Sequence, residues 1–219
     1  MFGNDTRKRL ENIVKGVVLE GESDHCTTVR NLLCASFRTS TTVKKDFENQ
    51  LRVKKEQAEF LKDLSRSRNW WVRDLPGEGS FLTRGGEALI YLAHDNRSVI
   101  KVNDAVYYAT WLEFFNSLVI YNALFEETAY TFLGFIERDT TLFAVLKQPF
   151  IKSDAPVDLE DVKELLAFNG FTNTKRNDYY NKELGLILED MHDENIIVQS
   201  NTIFFIDTVF YTVSEQGGI

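Results

Sequence analysis

Leu184-Gly-Leu-Ile-Leu-Glu-Asp190-Met-His192-Asp-Glu-Asn195-Ile-Ile-Val198, followed shortly by Ile203-Phe-Phe-Ile-Asp207, is the stretch on which the reading of the chain turns. An apolar run leads into a polar loop, and two further apolar runs, Ile196–Val198 and Ile203–Ile206, flank a short polar turn. This pattern predicts a buried strand, a loop and a tight hairpin. Asp190 and Asn195 stand five apart on the loop, and the second strand of the hairpin delivers Asp207. Two carboxylates and one amide oxygen are thereby directed to one place. Hard oxygen donors of this kind suit Mg²⁺, which takes one or two carboxylates plus substrate phosphate oxygens. Taken alone, Asp190 and Asn195 equally describe a turn with a capping Asp, and Asp207 the end of a strand.

The rest of the chain bounds what such a loop can belong to. Its 219 residues, at roughly 150 per domain, make one domain with an extension. Hydrophobic residues at 43%, including 17 Phe, supply a sizeable core and exclude disorder. The net charge of −8 argues against a nucleic-acid binder, which needs clustered Lys and Arg to neutralise phosphates. The imbalance is local: Lys44 to Arg73 holds nine basic and five acidic residues, whereas Asp154 to the end holds four basic and thirteen acidic. Cys26 and Cys34, eight apart in a predicted helix, point to different faces, which speaks for reduced thiols and a cytoplasmic setting. They form no zinc-like pattern with His25, His94 and His192. The start shows no apolar h-region, so no secretory signal is expected. The most apolar run, Ala105 to Phe125, is broken by Glu113, Asn116 and Asn122 and reads as a buried helix, with no membrane as partner.

Along the chain, residues 1–69 form a helical N-terminal extension, with helices expected at Thr6–Val14, Thr27–Phe37 and Asp46–Leu64. In the last of these Phe47, Leu51, Ala58 and Leu61 share a stripe, and the basic excess reads as a solvated face. Residues 70–148 change to strand character, at Ser80–Thr83, Ala88–Ala93, Ser98–Val102, Tyr130–Glu137 and Thr141–Lys147, with one helix, Ala105 to Ala123, between the third and fourth. Residues 149–219 hold a helix over Val157–Phe168, a polar stretch from Thr172 to Asn181, and the loop quoted above.

Asp190-Met-His-Asp-Glu-Asn195 with Asp207 resembles the catalytic loop and metal-binding strand of the protein-kinase-like superfamily, in the Asp-Leu-His-x-x-Asn form of aminoglycoside phosphotransferases. Further motifs are similar to the kinase-like domains of polyvalent proteins of phages and conjugative elements. They are Gly85-Gly86-Glu87, Ile100-Lys101-Val102-Asn103, Trp111-Leu112-Glu113, Asn122-Ala-Leu-Phe125, Tyr130-Thr-Phe-Leu-Gly134-Phe135 and Gln148-Pro-Phe-Ile151. The resemblance implies an α+β chain with a minimal kinase-like fold: a five-stranded antiparallel N-lobe with one helix, and a truncated C-lobe. It also implies ATP and Mg²⁺ as cofactors. Gly85 and Gly86 would cover the phosphates, Lys101 positioned by Glu113 would hold them, and the backbone of Gln148 and Phe150 would meet the adenine. Asn195 and Asp207 would hold the metal, and Asp190 would be the base for an acceptor hydroxyl.

The chain also departs from that pattern. Leu188 and Glu189 stand where His and Arg precede the catalytic Asp, and Asp207-Thr208-Val209 replaces Asp-Phe-Gly. His192 takes the place of a lysine that contacts the transferred group. Twelve residues follow Asp207, too few for an activation segment. Two function classes follow: a phosphotransferase acting on an unknown acceptor, protein or small molecule, and a nucleotide-binding pseudokinase or partner-binding accessory module of a mobile genetic element.

Overall fold

In the computed structural model, which describes residues 3–21, 24–37, 47–86 and 88–213, helix and strand are mixed and the chain is of the α+β class. It divides into two units. No helix among the described residues is long and apolar enough to cross a membrane.

The first unit comprises Glu22–Phe115 and Tyr130–Phe150. Its centre is a five-stranded antiparallel sheet of β1 (Phe81–Arg84), β2 (Ala88–Leu92), β3 (Ser98–Asn103), β4 (Thr131–Arg138) and β5 (Thr141–Pro149), in the order β1-β2-β3-β5-β4. Alternation explains the sheet: β4 turns Phe132 and the Gly134-Phe135 pair inward and Thr131 and Leu133 outward. β3 is buried at every position, because it lies in the middle of the sheet with both faces covered. One face carries Ile100, Val102 and Val145 packed with Val72, Leu89 and Phe143. An edge-to-face cluster of Trp70, Trp111, Phe114, Phe115, Phe132 and Phe135 makes the other core, and aromatic pairs of that geometry contribute beyond their buried area. The β4–β5 hairpin turns on Asp139 and Thr140, both at positive φ, the geometry that matches strand twist in a two-residue turn.

Two helices, α2 (His25–Phe37) and α3 (Phe47–Arg68), belong to this unit and lie against β4. Cys26 and Cys34 are both free and buried, and desolvation pushes the Cys26 thiol well above its usual range. The buried line of α3 is Val53, Gln57, Leu61 and Ser65, four residues apart. The apolar stripe expected through Leu51 is therefore displaced, and Leu51 is 45% exposed. Gln57 and Ser65 are buried because each has a backbone partner, Ser65 Oγ donating to the Leu61 carbonyl and Gln57 accepting from Leu112 N–H.

The expected helix from Ala105 begins six residues later, as α4 (Trp111–Leu124). Asn103 and Asp104 accept from the N–H groups two residues ahead, Ala105 takes a positive φ, and these side-chain turns hold 105–110 as a loop. The chain passes from the first unit to the second within α4.

The second unit comprises Met1–Gly21, Asn116–Ala129 and Ile151–Ile219. It contains α1 (Asn4–Val14), α5 (Leu159–Phe168) and six strands: β6 (Thr172–Lys175), β7 (Asp178–Asn181), β8 (Leu186–Glu189), β9 (Ile196–Gln199), β10 (Thr202–Phe205) and β11 (Val209–Thr212). Four form an antiparallel sheet in the order β11-β8-β7-β6, while β9 and β10 pair as a hairpin on a two-residue turn, Ser200-Asn201, again at positive φ. Tyr121 donates to the Phe205 carbonyl and Phe125 stacks on Phe205 at 4.4 Å, which anchors the hairpin to this part of α4. The polar stretch 172–181 is thus the β6–β7 hairpin, and β11 lies beside β8, which places the run after Asp207 in the same sheet as the strand before Asp190.

Gly134 gives the first unit a sharp test. Its φ is +145°, and a Cβ there would lie 2.1 Å from the Trp70 carbonyl oxygen, because Trp70–Val72 hydrogen-bonds across Phe135. Neither backbone can yield without breaking those bonds. Gly134→Ala is expected to cost ~3 kcal/mol in strain and displacement, a fall in Tm of about 10 °C by thermal unfolding.

Candidate functional site

In the sheet unit, Lys101 projects from the central strand β3 and is only 5% exposed. A buried ammonium needs compensation; its Nζ is 3.4 Å from the Tyr130 hydroxyl and 5.4 Å over the Tyr130 ring. Gly85 closes the β1–β2 turn through its N–H to the Ala88 carbonyl. At Gly86 a Cβ would meet the Tyr107 hydroxyl at 2.8 Å, so the absence of a side chain lets the 105–110 loop approach the hairpin. Glu87, the third residue of that motif, lies outside the described residues.

Glu113 has a different local role from the one expected. Thr110 Oγ1 accepts from Glu113 N–H at 3.1 Å while the Glu113 carboxylate accepts from Ala109 N–H at 2.9 Å, a reciprocal cap that starts α4. Burial pushes the Glu113 carboxyl above its ordinary range, opposed by the two N–H bonds and by the charge of Lys54. Its carboxylate is thus engaged by the helix start. Gln148 is buried opposite Val99, and the Phe150 N–H donates to the Arg97 carbonyl at 2.9 Å. In the antiparallel ladder, residues two apart share the same bonding side, so Gln148 also turns its backbone toward β3. The N–H of Phe150 is therefore not free to meet a base.

In the second unit the loop is closed on itself. Asp190, at the end of β8, adopts a left-handed backbone with φ +67°. Such a conformation at a non-glycine residue costs about 1–3 kcal/mol and persists where neighbours over-determine it. Asn195 does so: its Nδ2 donates to both the Asp190 carbonyl and Oδ2, each at 2.9 Å. His192 Nε2 lies 3.0 Å from Asp190 Oδ1. The Asn195 backbone carbonyl accepts from Ile206 N–H at 3.0 Å, extending the β9–β10 ladder by one step to the residue before Asp207. Asp190, His192 and Asn195 are thus bonded into one loop. The amide nitrogen of Asn195 is turned to Asp190, and the Asp207 side chain is exposed. Among the described residues no group of three or more His, Cys, Asp or Glu is poised around one point, so a hard cation here would complete its shell with other oxygens.

The residues expected to act are therefore found in two sets, Gly85, Gly86, Lys101, Glu113, Gln148 and Phe150 in one unit and Asp190, Asn195 and Asp207 in the other. Missed by the sequence reading were Tyr130, which lies under Lys101, and Lys54 and Gln57, which reach the start of α4. Lys54 was hidden in a basic stretch that looked like a solvated face.

A family model described as Serine/Threonine/Tyrosine Kinase found in polyvalent proteins matches residues 54–214, well over half of the chain. The chain belongs to this family of kinase-like domains of polyvalent proteins. No curated protein and no solved structure matches it.

Electrostatics around the loop give a test that does not depend on activity. Glu189, the last residue of β8, is pushed above its ordinary carboxyl range by burial, then by the neighbouring Asp178 and Asp190 carboxylates. A raised folded-state value means the ionised form opposes folding, with no effect below the ordinary carboxyl range and the full effect above the folded-state value. Glu189→Gln is expected to raise Tm at pH 7 and to leave it unchanged at pH 4, measured by thermal unfolding at both.

Proposed function

We propose that the protein is an ATP- and Mg²⁺-dependent phosphotransferase with a minimal kinase-like fold, transferring to a hydroxyl acceptor. The observation that carries this reading is the closed loop of Asp190, His192 and Asn195, in a chain of a kinase family. Lys101, held under low exposure against Tyr130, supplies a positive charge for the phosphates. Asn195 Oδ1 and Asp207 offer the oxygens that would hold Mg²⁺. Bound together, ATP and the ion supply an activated phosphoryl group with its negative charge neutralised. Asp190, fixed by two Asn195 bonds and by His192, is the carboxylate that orients the acceptor hydroxyl and takes its proton as the new P–O bond forms and the ADP oxygen leaves. With Asp190 fixed by Asn195 and His192, the catalytic effect would be positioning and charge neutralisation.

A binding-only module is the second reading, favoured by the Glu113 carboxylate serving as a helix cap. ATP with Mg²⁺ is expected to raise the Tm of the wild type, and Asp207→Ala to abolish the shift; a wild type indifferent to nucleotide sinks both readings. Label from γ-labelled ATP should pass to an acceptor or to the chain itself and be lost in Asp190→Ala. Nucleotide binding without any transfer would leave the binding module, and transfer that survives Asp190→Ala would remove Asp190 as the base.

A further inference from the structure

The segment 104–112 touches every element assigned to the phosphates in the sheet unit. It continues directly from β3, three residues after Lys101; Tyr107 lies against Gly86 of the hairpin; and Thr110 and Ala109 complete the cap that holds Glu113. Yet it is a loop, with a positive φ at Ala105, shaped by the Asn103 and Asp104 turns and by the Tyr108 N–H to the Ala105 carbonyl.

Further bonds to it come from α3. Lys54 Nζ donates to the Ala105 carbonyl at 2.5 Å and to the Tyr108 carbonyl at 2.8 Å, bridging both ends of the bend. One turn further along the helix, Gln57 accepts from Leu112 N–H at 3.1 Å, taking one of the donors that a helix start leaves unpaired. Gln57 is 1% exposed, so this bond is made out of water, where losing one partner leaves a buried polar group unsatisfied. Lys54 is also the cation whose charge acts on the Glu113 carboxylate. A lysine clasping two carbonyls and a buried glutamine on the next turn form a bracket, at i and i+3 on one helix face.

We propose that α3 is a working part of the nucleotide site: Lys54 and Gln57 are positioning residues that hold the 105–112 segment, so that binding of the nucleotide's phosphates depends on this helix. This rests on the phosphotransferase reading for the identity of the ligand. The dependence falls on the phosphates and not on the adenine, because the bonds of Lys54 and Gln57 go to the 105–112 segment, which meets the glycine hairpin and the Glu113 cap.

The test compares ATP with adenosine, by calorimetry and ligand-observed NMR, in the wild type, Lys54→Met, Lys54→Arg, Gln57→Leu and Lys101→Met. Lys54→Met is expected to weaken ATP binding about tenfold and to leave adenosine within about twofold, the size of an ordinary coupling between sites. Lys54→Arg, which can still donate to two carbonyls, should restore ATP binding, and Gln57→Leu should follow Lys54→Met. A loss of ATP and adenosine in equal measure would mean general loosening of the unit and would overturn the proposal, as would ATP binding unchanged in Lys54→Met. Lys101→Met separates the two levels. If it spares ATP affinity, the phosphate assignment itself fails; if it reduces ATP affinity while Lys54→Met does not, only the role of α3 fails.

Discussion

One residue, Asn195, ties together the loop of the acidic last third. The Asn195 side chain holds Asp190 by its carbonyl and its carboxylate at once, and the Asn195 carbonyl holds Ile206, the residue before Asp207. The two Asn195 bonds, the His192 contact and the Met191 N–H to the Asn177 carbonyl together offset the strain of a left-handed backbone at Asp190. The strands on either side serve this arrangement. β8 ends at Glu189, so the turn must come at Asp190, and β11 lies beside β8 in register with Glu189 opposite Val209. The loop is thus pinned at both ends by one sheet.

Much of this was legible beforehand, because local rules sufficed. Alternation, turn chemistry and the five-residue spacing located β8, the hairpin and its three polar residues to within a residue or two. The five strands of the other unit were legible for the same reason. What failed was of two kinds. The helix start at Trp111 was placed too early because the run from Ala105 is apolar, whereas Asn103, Asp104 and Thr110 decide the matter through side-chain bonds to the backbone. The strands β6, β7 and β11 carry no periodic signal because they are short, polar or isolated runs, and β11 pairs with β8 across the whole loop and hairpin.

The role of α3 failed for a subtler reason. A stripe drawn through apolar residues assigns the buried face to Leu51 and Ala58, yet the buried line contains Gln57 and Ser65 and leaves Leu51 in water. Polar residues were read as solvent-facing by default, although a glutamine is buried readily once its amide meets a backbone group with no partner of its own. The start of a helix always offers such groups. A polar residue on the inner line of one helix is therefore a hint that another helix begins nearby.

The same logic bears on Glu113. In a family pattern it stands as the partner of a strand lysine, but its carboxylate here is half-buried, raised in pKa, and bonded to the N–H of Ala109. Capping and ion pairing draw on the same two oxygens. A carboxylate has capacity for both, since each oxygen accepts more than one bond, and Ala109 N–H is bonded to Oε2. The cap also fixes the side chain in one rotamer, which lowers the entropic cost of any later bond through Oε1. Seen this way, the capping box and the bracket from α3 act in the same direction. Both pre-order the start of α4, and both make the position of one carboxylate depend on groups that never touch a ligand.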